Sequence, residues 1–307
     1  MRFIARDFVA GVARTMVVQG PPHVPNPQRA RQVQTLLEAQ HQDHFGDELI
    51  EEMDDAGIAC TVLLVPDFSH ALECALPIAA MARMHHEIRQ RHPGRFLVFQ
   101  GIDPRDGPGA VDFFEKTVTE YGFDGLKLYP PCGYSPSDER LFPFYEICRQ
   151  HGLPVLLHTG PSSPVLDFNF AHPSLIDGAA REFHDVNFIL AHGGVTFTQE
   201  AAQLCAYRPN VYLDLAGFPS ILHPRGWTGH LHDLFRLGIN HKIIFGTDWP
   251  LFRMTSTTKD FLERLTGPEG PLAGLPERDI ELIMSGNIDR ITTAARAAWP
   301  VSQSRAG

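Results

Sequence analysis

The sequence predicts a parallel α/β fold of the (β/α)8 TIM-barrel class, and three observations support this. Seven short apolar segments alternate with helical patterns along the chain. Two of them, Pro154–His158 and Phe188–His192, are continuous apolar runs that end in histidine with glycine close behind, as is typical of strands buried on both faces. A third, Lys242–Asp248, ends in a carboxylate. The number and spacing of the segments suit a barrel better than an open sheet.

The strand predictions follow the chain in order. They cover Cys60–Val65, Arg95–Gly101, Gly125–Tyr129, Pro154–His158, Phe188–His192, Asn210–Leu215 and Lys242–Asp248. Because a (β/α)8 barrel has eight strands, the usual first strand is missing or atypical. Its absence would leave a gap between the strands at Cys60 and Ile243, and we expect residues 1–18 to fill it as a helix or an irregular strand. We interpret residues 1–307 as a single domain.

Composition limits the classes of function. The chain has 307 residues, 43% of them apolar, and a formal charge of -10 without any basic run, which argues against nucleic-acid binding. The acidic helical segment Glu48–Asp55 is interpreted as a solvated face. No run approaches the length of a membrane span. The five cysteines are odd in number, widely spaced and never in a C-x-x-C pair, so we expect a reducing, cytoplasmic setting without a structural zinc knuckle, and a small-molecule substrate.

The carboxyl ends of parallel strands meet at one rim, which is where active sites of such folds lie. His158, His192 and Asp248 should therefore lie together. A single strand-end histidine is more often bonded to a backbone group, and an aspartate followed by Trp249-Pro250 could instead cap a turn or helix. The three together predict ligand or catalytic roles. Imidazole nitrogen and carboxylate oxygen suit zinc, and a catalytic site needs an open position for water or substrate.

Several short motifs occur in the order found in one known family. They are Asp47-Glu-Leu-Ile-Glu-Glu-Met-Asp-Asp-Ala-Gly57, Gly122-Phe-Asp-Gly-Leu-Lys-Leu128, Leu156-Leu-His-Thr-Gly160, Leu190-Ala-His-Gly-Gly194, Val211-Tyr-Leu-Asp214 and Phe245-Gly-Thr-Asp-Trp-Pro250. The chain resembles the amidohydrolase-related enzymes (amidohydrolase family 2) of the metal-dependent hydrolase superfamily, in the branch of aminocarboxymuconate semialdehyde and resorcylate-type decarboxylases. The resemblance covers about residues 47–290.

The resemblance implies a divalent metal, zinc first and manganese as the alternative. It assigns His158 and Asp248 as metal ligands and His192 as a catalytic residue. In the functional interpretation Asp248 is catalytic as well, because it also handles a proton. It also implies a homodimer.

One part of the family pattern is absent. No Asp-x-His-x-His precedes the first helix, and Phe3–Gly11 resembles sequence that normally follows that motif. His230-Leu-His232 has the right spacing but lies in a predicted helix, and His23 lies among prolines. Either the start of the chain is truncated relative to a functional protein, or half of the metal shell has been lost. With two direct ligands and His192 as a third, we expect weak zinc binding.

Further polar residues near the rim are candidates for substrate binding. Lys127 could be a carbamylated bridging ligand, but its setting favours an ammonium beside the substrate, with a snorkelling structural lysine as the alternative. Asp214 is expected to orient a neighbour. His172, in the loop after His158, could reach the substrate. Arg225 and Arg253, in the loops after the last two strands, could pair with a substrate carboxylate, although surface arginines are usually solvated.

These observations predict a metal-dependent hydrolase or decarboxylase (C–C lyase) acting on a small carboxylated cyclic or unsaturated substrate. In this interpretation the metal activates substrate or water, Asp248 moves a proton, and His192 acts as acid or base or stabilises developing charge. The alternative is a non-catalytic or N-terminally truncated barrel paralogue with a degenerate metal site.

Overall fold

The computed structural model describes residues 3–20, 22–217 and 226–298. Seven parallel strands form one sheet, in the order in which they occur along the chain. They are β1 (Thr61–Val65), β2 (Phe96–Gly101), β3 (Gly125–Leu128), β4 (Val155–Leu157), β5 (Phe188–Leu190), β6 (Val211–Asp214) and β7 (Ile243–Ile244). The predicted barrel class with an atypical first strand is confirmed, although the last strand is shorter than the apolar run Lys242–Asp248 suggested.

Helices precede the sheet, connect its strands and follow it. They are α1 (Arg6–Gln19), α2 (Pro27–Gln40), α3 (Asp47–Asp55), α4 (Ile78–Arg91), α5 (Pro108–Thr119), α6 (Phe142–His151), α7 (Asp177–Glu182), α8 (Thr198–Tyr207), α9 (Gly226–Leu234), α10 (Thr258–Thr266), α11 (Glu277–Glu281) and α12 (Asn287–Ala298). A π-helical turn, Leu282–Gly286, joins α11 to α12. Among the described residues, no helix is long and apolar enough to span a membrane.

The sheet curls so that its inner face encloses a core of its own. Side chains from six strands and from α12 form this inner cluster: Val62, Leu64, Phe99, Leu156, Ile189, Tyr212, Ile244, Ile288 and Ile291. A Cβ atom on Gly125 of β3 would lie 2.7 Å from the Phe99 ring, so glycine there makes room for this large side chain. Because β1 and β7 contribute to the same cluster, the two ends of the sheet meet through side-chain packing.

The strands β1 and β7 are the two edges of the sheet and do not pair with each other. On the outer edge of β7, the Phe245 N–H donates to the Ile283 carbonyl at 2.9 Å. The Asn287 side-chain amide donates to the carbonyls of Ile243 and Asn240, each at 2.8 Å. Exposed strand edges invite association, and the start of α12 covers this one.

Helix α3 bridges the two sides of the gap. On the β7 side, Arg253 donates to Glu48 and Glu52, each at 2.7 Å. On the β2 side, Arg95 donates to Asp54 at 2.7 Å. Leu49 and Met53 of α3 pack in one cluster with Phe96, Leu63 and Trp249, which come from both sides of the gap. The acidic helix is therefore ion-paired across the gap, which corrects its interpretation as a merely solvated face.

Helix α1 lies over the carboxyl-end loops of the sheet. Phe8 packs against Phe68, after β1, and Tyr129, after β3, with ring centroids 5.2 and 6.1 Å apart. The Ser163 hydroxyl, after β4, donates to the Phe8 carbonyl at 2.9 Å. The expectation that residues 1–18 fill the gap between the edge strands is thus wrong for α1. Before α1, Phe3 packs beside β1 and α3.

We expect Asn287→Ala to lower the free energy of unfolding by about 2–4 kcal/mol, because two buried carbonyls lose their donor. Urea denaturation measures this. Thr293→Ala, at an exposed position on the same helix, should change stability by less than about 0.5 kcal/mol. Equal stabilities of the two variants would show that the β7 edge does not depend on the Asn287 amide.

Candidate active site

Two histidine imidazoles face each other at the carboxyl ends of β4 and β5. The inner nitrogens, His158 Nδ1 and His192 Nε2, lie 3.1 Å apart. The outer nitrogens face backbone carbonyls, with His192 Nδ1 at 2.9 Å from the Ala216 oxygen and His158 Nε2 at 3.2 Å from the Gly160 oxygen. His158 is buried and His192 is half-buried. The structure therefore brings together two residues that the sequence placed on one rim.

Counting protons shows what this pair lacks. A carbonyl oxygen only accepts, so each outer contact requires an N–H from the imidazole. Two neutral imidazoles carry two N–H groups in total, and both are then used on the outside. The inner nitrogens are left with facing lone pairs unless a proton or another cation lies there. Burial, aided by His192 and Lys127, lowers the pKa of His158 well below its usual value, so an added proton is disfavoured and the pair is a good acceptor for a metal cation.

Asp214, the last residue of β6, fixes the position of this pair. Its Oδ1 atom accepts the backbone N–H groups of His192 at 2.8 Å and Ala216 at 2.9 Å. Burial raises the pKa of the Asp214 carboxyl, while His192 and the backbone donors oppose that rise. The Asp214 carboxylate thus orients the His192 backbone and also the Ala216 carbonyl, which accepts a hydrogen bond from the His192 ring. This is the role expected of a residue that positions a neighbour.

Asp248 lies beside the pair and has no side-chain partner in the described ranges. Its carboxylate is half-buried, and no hydrogen bond or ion pair to it is found within residues 3–217 and 226–298. A Cβ atom on Gly217 would lie 3.2 Å from His192 Nδ1 and 3.5 Å from Asp248 Oδ2, so both groups line the same small space. His192 and Asp248 also have left-handed backbones, with φ of 61° and 62° respectively. Such conformations are uncommon outside glycine and concentrate at functional sites.

Lys127 supplies a buried positive charge on the inner face of β3. Its side chain is 4% exposed. Burial lowers the pKa of the ammonium to about 8, and Asp214 and Asp248 partly offset this effect. The Nζ atom lies 5.4 Å from the centre of the Tyr129 ring. Across the described residues it has no hydrogen-bond acceptor, which makes it a cation available to an anionic ligand.

Two residues near this site were not predicted from the sequence. Tyr129 stacks on the His158 imidazole, with ring centroids 4.4 Å apart and planes 15° apart. His41 follows α2, and its Nδ1–H donates to the Leu37 carbonyl at 2.7 Å, so its Nε2 keeps a lone pair. Burial lowers the pKa of His41, while the charge of Asp248 raises it. Tyr129 could have been found as a strand-end residue, but nothing local distinguishes His41 from other helix-end histidines.

The remaining predicted residues have other contacts within the protein or lie outside the described ranges. His172 packs against Phe197 with ring centroids 4.2 Å apart. Arg253 is held by Glu48 and Glu52, so its guanidinium has protein carboxylates in place of a substrate carboxylate. Arg225 lies outside the described residues.

The ligand types at the rim suit a divalent metal, but these side chains do not surround a common point. Suitable ligands are the inner lone pairs of His158 and His192 and the Asp248 carboxylate, which has no side-chain partner in the described ranges. Within the described part of the chain, however, no three His, Cys, Asp or Glu side chains are close enough to hold a metal ion as they stand. Two imidazole nitrogens on one tetrahedral zinc lie about 3.3 Å apart, and the inner nitrogens of His158 and His192 are already 3.1 Å apart. The described residues therefore lack a third ligand close to the pair.

Comparison with known proteins places the chain in a family. The sequence model described as "Amidohydrolase" matches residues 28–291. The chain therefore belongs to this amidohydrolase family. Among curated proteins, Protein fluG of Emericella nidulans is 26% identical over 106 residues, which is 34% of this chain and 12% of that protein.

Solved structures confirm the fold. An uncharacterised TIM-barrel protein from Bordetella bronchiseptica aligns with a TM-score of 0.66 and 21% identity, over 95% of this chain and 93% of that one. A dihydroxybenzoic acid decarboxylase from Polaromonas, with bound manganese and 2-nitroresorcinol, gives 0.64 and 18%, over 92% and 94%. The 5-carboxyvanillate decarboxylase of Sphingomonas paucimobilis gives 0.62 and 15%, over 93% and 95%.

Gly217→Ala should weaken zinc binding at the site in addition to lowering the stability of the fold. Its left-handed φ of 75° makes any side chain unfavourable by about 1–2 kcal/mol, and the new methyl group would also press on His192 and Asp248. Gly57→Ala is the matched control, since Gly57 has a φ of 71° and open space around its Cβ position. We expect similar stability losses in urea but weakened zinc binding only for Gly217→Ala. Equal zinc affinities would contradict this placement of the site.

Proposed function

We propose that the protein is a metal-dependent hydrolase or decarboxylase (C–C lyase) that acts on a small carboxylated cyclic or unsaturated substrate. The observation that carries the proposal is a half-buried Asp248 carboxylate with no side-chain partner among the described residues, beside an imidazole pair whose inner nitrogens carry facing lone pairs. Groups desolvated without partners are costly to maintain unless a ligand completes them. Membership in the amidohydrolase family supports an enzymatic role.

In this proposal His158 and Asp248 hold the metal, and His192 approaches as a third ligand or stays free for chemistry. Zinc is the first choice, and manganese is the alternative because it is bound in a structurally similar decarboxylase. When bound, the metal polarises the substrate or lowers the pKa of a bound water.

The protein groups then have distinct tasks. The Ala216 carbonyl fixes the His192 ring proton on Nδ1, so Nε2 is the nitrogen able to exchange a proton with substrate. Asp248 accepts or delivers a second proton. Lys127 pairs with the substrate carboxylate, because a buried ammonium is stabilised by a ligand that supplies a negative charge beside it. Hydrolysis and decarboxylation can both use this arrangement.

A second candidate is a non-catalytic barrel paralogue with a degenerate metal site. It is favoured by the spread of the donors, since the described residues contain no gathered group of three. Metal affinity distinguishes the two candidates.

We expect the untagged protein to bind zinc weakly, with less than one equivalent retained on gel filtration, because no third ligand lies close enough to the imidazole pair among the described residues. His158→Ala and Asp248→Ala should each lower zinc affinity by about 10-fold or more, as removal of a direct ligand exceeds the loss of an outer partner. His232→Ala, half-exposed on α9, is the control and should bind like the parent. Competition with a chelating dye measures all four proteins. Parent-like affinities of both site variants would favour the non-catalytic candidate.

Lys127→Met should stabilise the protein while it removes function. At pH 7 the lysine is charged in both the folded and unfolded states, and removing the buried charge should raise the free energy of unfolding by about 1–3 kcal/mol. The folded-state pKa is about 8, below the value of 10.5 for an exposed lysine. The gain should therefore shrink as pH rises between these values and vanish above them.

The matching assay is decarboxylation of 2,6-dihydroxybenzoate, a ligand of a structurally similar decarboxylase, followed as carbon dioxide release with added manganese. Any activity of the parent should be lost in Lys127→Met. A variant that is both less stable and fully active would contradict the role given to Lys127.

A further inference from the structure

Tyr129, the residue that follows β3, touches two groups of the proposed site. Its ring stacks on the His158 imidazole at 4.4 Å, and the Lys127 ammonium lies 5.4 Å from the ring centre. Its hydroxyl is 2.6 Å from the Ser162 hydroxyl, which fixes the outer end of the ring. Aromatic stacking and cation–π contacts both depend on the direction of the ring plane. The orientation of Tyr129 therefore acts on the imidazole and the ammonium together.

Helix α1 contacts the same ring from the other direction. The Phe8 ring meets Tyr129 nearly edge-on, with centroids 6.1 Å apart and planes at 85°. Phe68 contacts both rings, at 5.2 Å from Phe8 and 4.8 Å from Tyr129. All three side chains are at least nine-tenths buried. Packed interiors leave such rings little room to turn.

The docking of α1 is itself specific. The Ser163 hydroxyl donates to the Phe8 carbonyl at 2.9 Å. A Cβ atom on Gly11 would lie 2.0 Å from the same hydroxyl oxygen, so the helix backbone can approach this loop closely only with glycine at that position. The contact ties one helix turn to the loop after β4, which also carries His158.

We propose that Tyr129 is a positioning residue of the site and that α1, through Phe8, holds it in place. The inference rests on the proposed function in one respect, since the side chains it positions are the proposed metal ligand and substrate cation. Without the Tyr129 ring, the His158 imidazole loses the surface that sets its plane, and its inner nitrogen no longer points steadily at His192. Without Phe8, the Tyr129 ring gains freedom to tilt, with the same consequence in weaker form. Helix α1 is thus part of the site, not only a cover over it.

The first test is zinc affinity, measured by dye competition on the full chain. Tyr129→Leu should weaken binding by about 10-fold, the lower end of the effect of losing an outer partner of a ligand. Phe8→Ala should weaken it several-fold. Tyr129→Phe keeps the ring and should stay within about threefold of the parent. Val18→Ala, at an exposed position on α1, is the control and should match the parent.

The second test does not depend on metal. Histidine-selective ¹⁵N spectra of the metal-free proteins, assigned with His158→Ala and His192→Ala, report which ring nitrogens carry protons. Phe8→Ala decides the question because it leaves the Tyr129 ring in place. We expect it to change the His158 nitrogen signals, while Val18→Ala leaves them unchanged. If Phe8→Ala fails to fold, Phe8→Leu keeps apolar volume without the ring edge and should show the same change.

The two tests separate this inference from the proposed function. If the parent binds no zinc but the His158 signals change in Phe8→Ala, the proposed function fails and the positioning role stands. If the parent binds zinc while folded Phe8→Ala and Tyr129→Leu keep parent affinity and unchanged His158 nitrogen signals, Tyr129 only packs the core and this inference is wrong.

Discussion

The structure depends on closing a parallel sheet whose two edge strands do not hydrogen-bond to each other. Inward side chains close it from within, where Val62 of β1 and Ile244 of β7 join one cluster. The Ile283 carbonyl and the Asn287 amide satisfy the free edge of β7, and α3 holds the two sides together through ion pairs. Closure by packing keeps the carboxyl ends of β4, β5 and β7 near one another, and that proximity makes the site.

At the site, the number of available protons decides what the residues can bind. Two carbonyls fix the outer protons of His158 and His192, and burial opposes a further proton on His158. Asp248 adds a carboxylate that has no side-chain partner in the part of the chain that the structure describes. A metal cation would bind the inner imidazole nitrogens and the Asp248 carboxylate together. The Lys127 ammonium supplies the positive charge that attracts an anionic substrate. Metal binding is nevertheless expected to be weak, because no third ligand side chain lies close enough to the imidazole pair among the described residues.

The sequence predicted the barrel class and the convergence of His158, His192 and Asp248, because continuous apolar runs and their terminal residues are local properties. It did not predict that α1 lies on the rim, since that follows from contacts between segments far apart in the chain, such as the Phe8 carbonyl and the Ser163 hydroxyl. For the same reason it left Arg253 free for substrate, although α3 binds its guanidinium. His41 was missed because its proximity to the charge of Asp248 arises only in the folded chain.

The most direct test of the account is the location of a bound metal in crystals grown with manganese or zinc, found from its anomalous scattering. The account predicts a single strong peak about 2.0–2.2 Å from a His158 ring nitrogen and an Asp248 oxygen. A peak held by other residues, or an intact imidazole pair with no metal at saturating concentration, would contradict it.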